Sequence, residues 1–278
     1  MYFFHTFPQP NQRTVRTMLL QEPAESQYDI RFRLMGFPTR ISWSFWLAAV
    51  VLGYDLCQGI DRSFAPASPG AFGLLFIWAG CMGLSIFIHE LGHAIAFRRY
   101  GIESSIVLYY MGGLAIPGPS SRGGRAFRSV GSREELIIAA AGPAFQIGSA
   151  AILVLITWGM GYRVSLMPWP FSNLEILSNG LNEFDGVMPF SLVNFYVWPS
   201  VAWALLNLVP VLPLDGGRIA KSIIEMNGGS FATALWVSVI SATLLALYGF
   251  KSDQMFIGIF FASLAINNYQ AINPGNSW

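Results

Sequence analysis

HELGH, residues 89–93, lies near the end of an apolar run, AFGLLFIWAGCMGLSIFIHELGHAIAF (residues 71–97), that is long enough to cross a bilayer as a helix. Helical positions four apart project from one face. His89 and His93 can therefore turn both imidazoles toward a single zinc ion, with Glu90 beside the water that such an ion activates. The bland alternative is a pair of core histidines satisfied by their neighbours, next to a stray carboxylate. Two facts weigh against it: the chain holds only three histidines, two of them at this spacing, and ionisable groups at membrane depth are costly and usually functional.

The 278-residue chain is 54% hydrophobic and 11% charged, with a mean hydropathy of +0.49, whereas about a quarter of a soluble domain is charged. This is the composition of a polytopic membrane protein, whose expected partner is the lipid bilayer. A net charge of +1, with no basic tract interleaved with aromatics, gives no reason to expect nucleic acid as a partner. Cys57 and Cys81 form no CxxC pattern and read as ordinary apolar-site cysteines.

Residues 1–40 are mixed and polar, carry Arg13, Arg16, Arg31, Arg33 and Arg40, and lack a signal-peptide cleavage pattern; they read as a cytosolic N-terminal segment. Apolar runs follow at about 41–58, 71–97, 135–160, 193–212, 231–250 and 254–270. The first is an additional span ahead of a core at 71–222, and the last two, separated by Lys251, Ser252 and Asp253, make a C-terminal hairpin over 231–270. With the N-terminus inside, the inner segments carry five, six and two of the sixteen lysines and arginines, against Arg62, Arg163 and Lys251 outside. The expectation is an all-α polytopic protein of about six transmembrane helices in a bacterial cytoplasmic membrane, with both termini cytosolic. The second span then runs inward, which puts His89 about nine residues, roughly 13 Å, from its cytosolic end.

A zinc site of this kind takes a third protein ligand and leaves the fourth position to water. Apart from Glu90, the acidic residues sit in loops or at span ends. Asp215, in Asn207-Leu208-Val209-Pro210-Val211-Leu212-Pro213-Leu214-Asp215-Gly216-Gly217, has the most distinctive setting, closing the fourth span on the same side as the histidines. The prolines break the helix, and Gly216 and Gly217 permit a sharp turn back toward a neighbouring helix. A helix-capping Asp at a Pro/Gly stop is the competing reading of the same residues.

Taken together, HELGH in one apolar helix and N-x-x-P-x-x-P-L-D-G-G at the end of another resemble the site-2 protease family of intramembrane zinc metalloproteases, over roughly residues 71–222. The resemblance implies a catalytic core of three helices, the second, third and fourth spans. It implies one zinc per chain held by His89, His93 and Asp215, with Glu90 as the catalytic acid/base. Met111-Gly112-Gly113-Leu114 resembles the family's glycine-containing strand near the active site, so the expected fold includes a short β element there. Gly112 and Gly113 become candidates for pairing with extended substrate, and a plain glycine turn is the alternative. Ala141-Gly142-Pro143-Ala144-Phe145-Gln146 resembles the family's A-G-P-x-x-N, with glutamine where asparagine is usual. Gln146 either lines the site or braces the helix; it and Asn207 are the candidate polar groups for substrate or oxyanion.

By the same resemblance, the substrate is a transmembrane protein cut near the cytosolic face, as a later step of regulated proteolysis. No segment is long enough for a folded PDZ or paired CBS module, which leaves selectivity to the membrane part or to a separate regulatory partner. A catalytically inactive zinc-binding scaffold would be expected to have lost one of the four site residues. A metal or proton transporter would be expected to show an inverted repeat and polar residues in several spans. His5 has no partner at ligand spacing, the stretch Arg122 to Arg133 reads as a loop or headgroup contact, and the outer loop at 161–192, with Pro168, Pro170, Glu175, Glu183 and Asp185, is a candidate gate or extracytoplasmic partner site.

Overall fold

The computed structural model describes residues 23–118, 130–166 and 181–272; His5, Arg122, Arg125, Arg128, Pro168, Pro170 and Glu175 lie outside them. In chain order the elements are β1 (Ile30–Leu34), β2 (Phe37–Ile41), α1 (Trp43–Ser63), α2 (Ala71–Arg99), β3 (Ser104–Tyr109), β4 (Gly112–Pro117), α3 (Ser132–Gly159), α4 (Val187–Asn207), α5 (Asp215–Met226), α6 (Phe231–Lys251) and α7 (Met255–Ile272).

The chain is a multi-pass membrane protein. Helices α2, α3, α4, α6 and α7 are long and apolar enough to cross a membrane, and they turn large apolar side chains outward, with Phe76 82% and Phe256 73% exposed. A helix apolar all round has its outer face in lipid or in protein rather than in water. The expected span at 41–58 is α1, which has the length but is diluted by Asp55, Gln58, Asp61 and Arg62. Six spans is therefore an approximate count: five on composition, with α1 the remaining long helix.

Helix α1 buries Phe45, Ala49, Gly53, Cys57 and Ile60, a stripe at helical spacing. Trp78 of α2 fills the groove it makes, donating from Nε1 to the Ala49 carbonyl at 3.0 Å and meeting Phe195 of α4 edge-on at 5.5 Å. A Cβ on Gly53 would lie 2.3 Å from the Trp78 ring, so backbone and indole are in direct contact there. Gly53→Ala is expected to destabilise the protein by about 1–3 kcal/mol through overpacking, read as a fall in detergent-solution melting temperature; an unchanged midpoint would mean that α1 packs differently.

The β element is larger than the sequence led us to expect. It is a four-stranded sheet in the order β1-β2-β3-β4, and β1 and β2 come from the polar lead segment. Leu34 pairs with Phe37 across a two-residue loop in which Met35 and Gly36 both have positive φ, 51° and 85°, the tight hairpin turn whose twist matches its strands. Strand β2 runs parallel to β3, the chain returning through α1 and α2, while β3 and β4 are antiparallel.

A second departure concerns the fourth span. Helix α4 covers Val187–Asn207, earlier than 193–212, and the proline-rich stretch then makes a turn that starts a further amphipathic helix, α5. Asp215 is thus the first residue of α5 rather than the close of a span. Gly216 and Gly217 are helical, and the turn backbone explains their size: a Cβ would meet the Leu208 carbonyl oxygen at 2.1 Å and the Leu212 nitrogen at 2.3 Å respectively.

Candidate metal centre

Two facing stripes build the site. On α2, Ser85, His89 and His93 recur every four residues; on α3, Ile138, Gly142 and Gln146 do the same. The helices run antiparallel and touch where both lack side chains: a Cβ on Gly92 would sit 2.5 Å from the Ala141 carbonyl oxygen, and one on Gly142 would sit 2.2 Å from His93 Nε2 and 2.8 Å from His89 Nε2. Pro143 lies inside α3 and has no N–H to donate to the turn before it. In that turn the Ile138 carbonyl lies 2.7 Å from His93 Nδ1.

Asp215 completes the cluster from α5. Its Oδ2 lies 3.0 Å from His89 Nε2 and 3.2 Å from His93 Nε2, the two Nε2 atoms are 3.2 Å apart, and one ligand atom from each residue falls within 4.8 Å of the others. All three residues are buried. Burial alone would raise the Asp215 pKa, but His93 and His89 outweigh it and hold the carboxyl below its usual range, as an anion. Its other oxygen faces Arg218 Nη1 at 3.7 Å, and Arg218 and Lys221 in turn approach Glu135 at the start of α3.

Hydrogen bonding at Nδ1 orients both rings. A carbonyl can only accept, so His93 Nδ1, against Ile138, carries a proton. His89 Nδ1 lies 2.8 Å from Gln146 Oε1, and the Gln146 amide nitrogen is committed to Ser85, 2.9 Å from its hydroxyl and 3.4 Å from its carbonyl. His89 Nδ1 is then also the donor. Both Nε2 atoms face the same carboxylate oxygen, and with Nε2 deprotonated each would present a lone pair there. Two imidazole nitrogens and a carboxylate oxygen converge on one point, where a bound cation would take the place of the protons that otherwise link them. Two imidazoles and a carboxylate are the donor set of an open zinc site.

Glu90 is buried beside this cluster. A Cβ on Gly113 of β4 would fall 2.4 Å from Glu90 Cγ, so the strand backbone rests directly on the carboxylate side chain, and the Ala115 N–H hydrogen-bonds to it. Gly112, at φ 108°, faces Trp203 instead, where a Cβ would meet the ring at 2.1 Å. Asn207 donates to its own helix at Trp203 O, 3.0 Å. Gln146 lies behind His89, away from the point where the ligands meet. Ser85, Ser200 and Arg218 escaped the sequence reading, although Ser85 precedes His89 by four positions and Arg218 follows Asp215 by three.

The model of peptidase family M50 matches residues 77–247, which runs from within α2 to within α6 and includes every residue of this site. The chain belongs to peptidase family M50. The similarity to site-2 proteases expected from HELGH and the L-D-G-G turn is thereby met. Among M50-like relatives, a protein of Synechocystis provisionally named a zinc metalloprotease is 31% identical over 71% of this chain and 44% of its own length. A zinc metalloprotease of Methanocaldococcus jannaschii is 26% identical over 83% of this chain and 56% of its own length. The chain thus spans about half the length of these curated relatives. A solved site-2 protease from Methanocaldococcus jannaschii aligns with 88% of this chain and 95% of its own at 22% identity and a TM-score of 0.48.

Proposed function

We propose that this M50 chain is an intramembrane zinc endopeptidase with His89, His93 and Asp215 as zinc ligands and Glu90 as acid/base. The observation that carries the reading is the convergence of two Nε2 atoms and a carboxylate oxygen within about 3 Å of one another, with Glu90 next in sequence to His89. His89, His93 and Asp215 would hold the zinc ion, whose contribution would be to activate water near neutral pH and to polarise a carbonyl. Glu90 takes the proton of the attacking water and delivers it to the leaving amine. The rest of the site positions these groups and keeps bulk water from them.

The substrate is a transmembrane protein, opened locally into an extended strand. Strand β4 ends the sheet, with no strand paired on its outer side among the described residues, and its Gly113 lies against Glu90. A substrate strand added along β4 would have its otherwise exposed amides hydrogen-bonded next to the acid/base. Gly112, Asn207 and Gln146 are less suited to touch it, since each is committed to Trp203 or to His89. The asymmetry of lysine and arginine supports a site opening to the cytosol, with both termini on that side.

The test is metal content of the detergent-purified chain beside a His89→Ala/His93→Ala double variant, together with cleavage of a transmembrane-helix substrate. About one zinc per chain, lost in the variant along with cleavage, is the expected result. Zinc without cleavage across a panel of helices carrying Pro or Gly would favour an inactive scaffold, and no zinc in folded protein would remove the mechanism.

A further inference from the structure

The geometry points to Gln146 as a positioning residue that fixes the ring of His89 through a buried chain of hydrogen bonds linking all three core helices. The inference rests on the zinc site proposed above. Gln146 is fully buried, as are Ser85 and Ser200. Its carbonyl receives the His89 Nδ1 proton at 2.8 Å, and its amide nitrogen is held by Ser85 of α2 at 2.9 Å. The Ser85 and Ser200 hydroxyls share a further hydrogen bond of 2.8 Å, and Ser200 Oγ lies 2.6 Å from the Tyr196 carbonyl on α4. Each polar atom in the chain is matched, so the amide cannot flip without setting two donors against each other at His89 and two acceptors at the Ser85 carbonyl.

This gives a physical role to the departure from asparagine. The distance from α3 to His89 Nδ1 and Ser85 Oγ is bridged here by the longer amide, and asparagine on the same backbone would fall short by one methylene. An acceptor behind a ligand imidazole sets its tautomer and orientation and raises its basicity; loss of such a partner typically costs about 10–100-fold in metal affinity. Gln146 acts on the metal only through His89.

Zinc affinity, measured by chelator competition on the full chain in detergent, separates this role from simple bracing, with the ligand-field spectrum of the cobalt-substituted protein as a second readout. Gln146→Leu is expected to weaken zinc by about 10–100-fold and shift the cobalt bands, and Gln146→Asn to follow it. Gln146→Glu keeps an acceptor and is expected to hold zinc within a few-fold of wild type. Bracing predicts the reverse order, since a buried carboxylate harms packing more than an apolar isostere does. Wild-type affinity in Gln146→Leu, or loss in Gln146→Glu equal to that in Gln146→Leu, overturns the proposal. Should Gln146→Leu not fold, the comparison passes to Gln146→Glu and Ser85→Ala. There, affinity is expected to be kept in the first and lowered in the second, and the opposite order overturns the proposal. Failure of the wild type itself to bind zinc would instead count against the metal site.

Discussion

Gly142→Ala is expected to abolish zinc binding while leaving a folded protein, although no ligand is touched. The new Cβ would lie 2.2 Å from His93 Nε2 and 2.8 Å from His89 Nε2, in the space a metal ion between those nitrogens needs. Neither imidazole has room to retreat: each is buried, and each is tethered at Nδ1 by a hydrogen bond of 2.8 Å or less. The loss of affinity should therefore exceed the roughly 100-fold upper end seen when a supporting partner is removed. Gly148→Ala, on the same helix six residues on, has nothing within 4 Å of the added carbon; it is expected to keep zinc and to gain about 0.5–1 kcal/mol from helix propensity. The pair separates intrusion into the site from any general effect of adding a methyl group to α3. Equal zinc content in the two variants would mean that the helices can part without cost and that the close approach is not essential.

The clustering of His89, His93 and Asp215 is legible because its parts follow short-range rules. Histidines four apart on a helix share a face wherever the helix goes, and Asp215 stood out because prolines and glycines bracket it. The reason given for Gly216 and Gly217 needed revising: a turn was expected, and the requirement proves to be contact between helix and turn backbone. Such contacts depend on how the turn folds back on the helix, and a single sequence carries no signal for that. The same holds for Gly142, whose lack of a side chain matters only because α2 crosses there. Strands β1 and β2 were missed because alternating arginines and apolar residues in IRFRL also suit a charged lead segment, and Met-Gly is a weak hairpin signal beside Asn-Gly. Helix α5 was hidden for a different reason. Its amphipathic pattern, with Arg218, Lys221 and Glu225 on it, does not register when apolar runs are sought.

Glu90→Gln is expected to keep about one zinc per chain and the wild-type fold while lowering cleavage by about 10²–10⁴-fold, the range that general acid–base catalysis supplies. The substitution retains shape, so the backbone of Gly113, packed on this side chain, has no reason to move, and the amide oxygen still accepts from Ala115. It removes only the ability to take a proton and pass it on. Asp215→Asn provides the contrast. A neutral amide is a poorer ligand, and its carbonyl can no longer balance the positive charge of the ion, so zinc affinity and cleavage should fall together. The two residues carry the same functional group and are both buried beside the histidines, so burial alone would not distinguish them. Separation of zinc content from turnover in Glu90→Gln, and their joint loss in Asp215→Asn, assigns one carboxylate to chemistry and the other to the metal. If Glu90→Gln instead cleaved at the wild-type rate with zinc bound, the proton would have to be carried by another group. Tyr109 is the next to test, a phenol buried in β3 near Glu90 with no hydrogen-bond partner for its hydroxyl among the described residues.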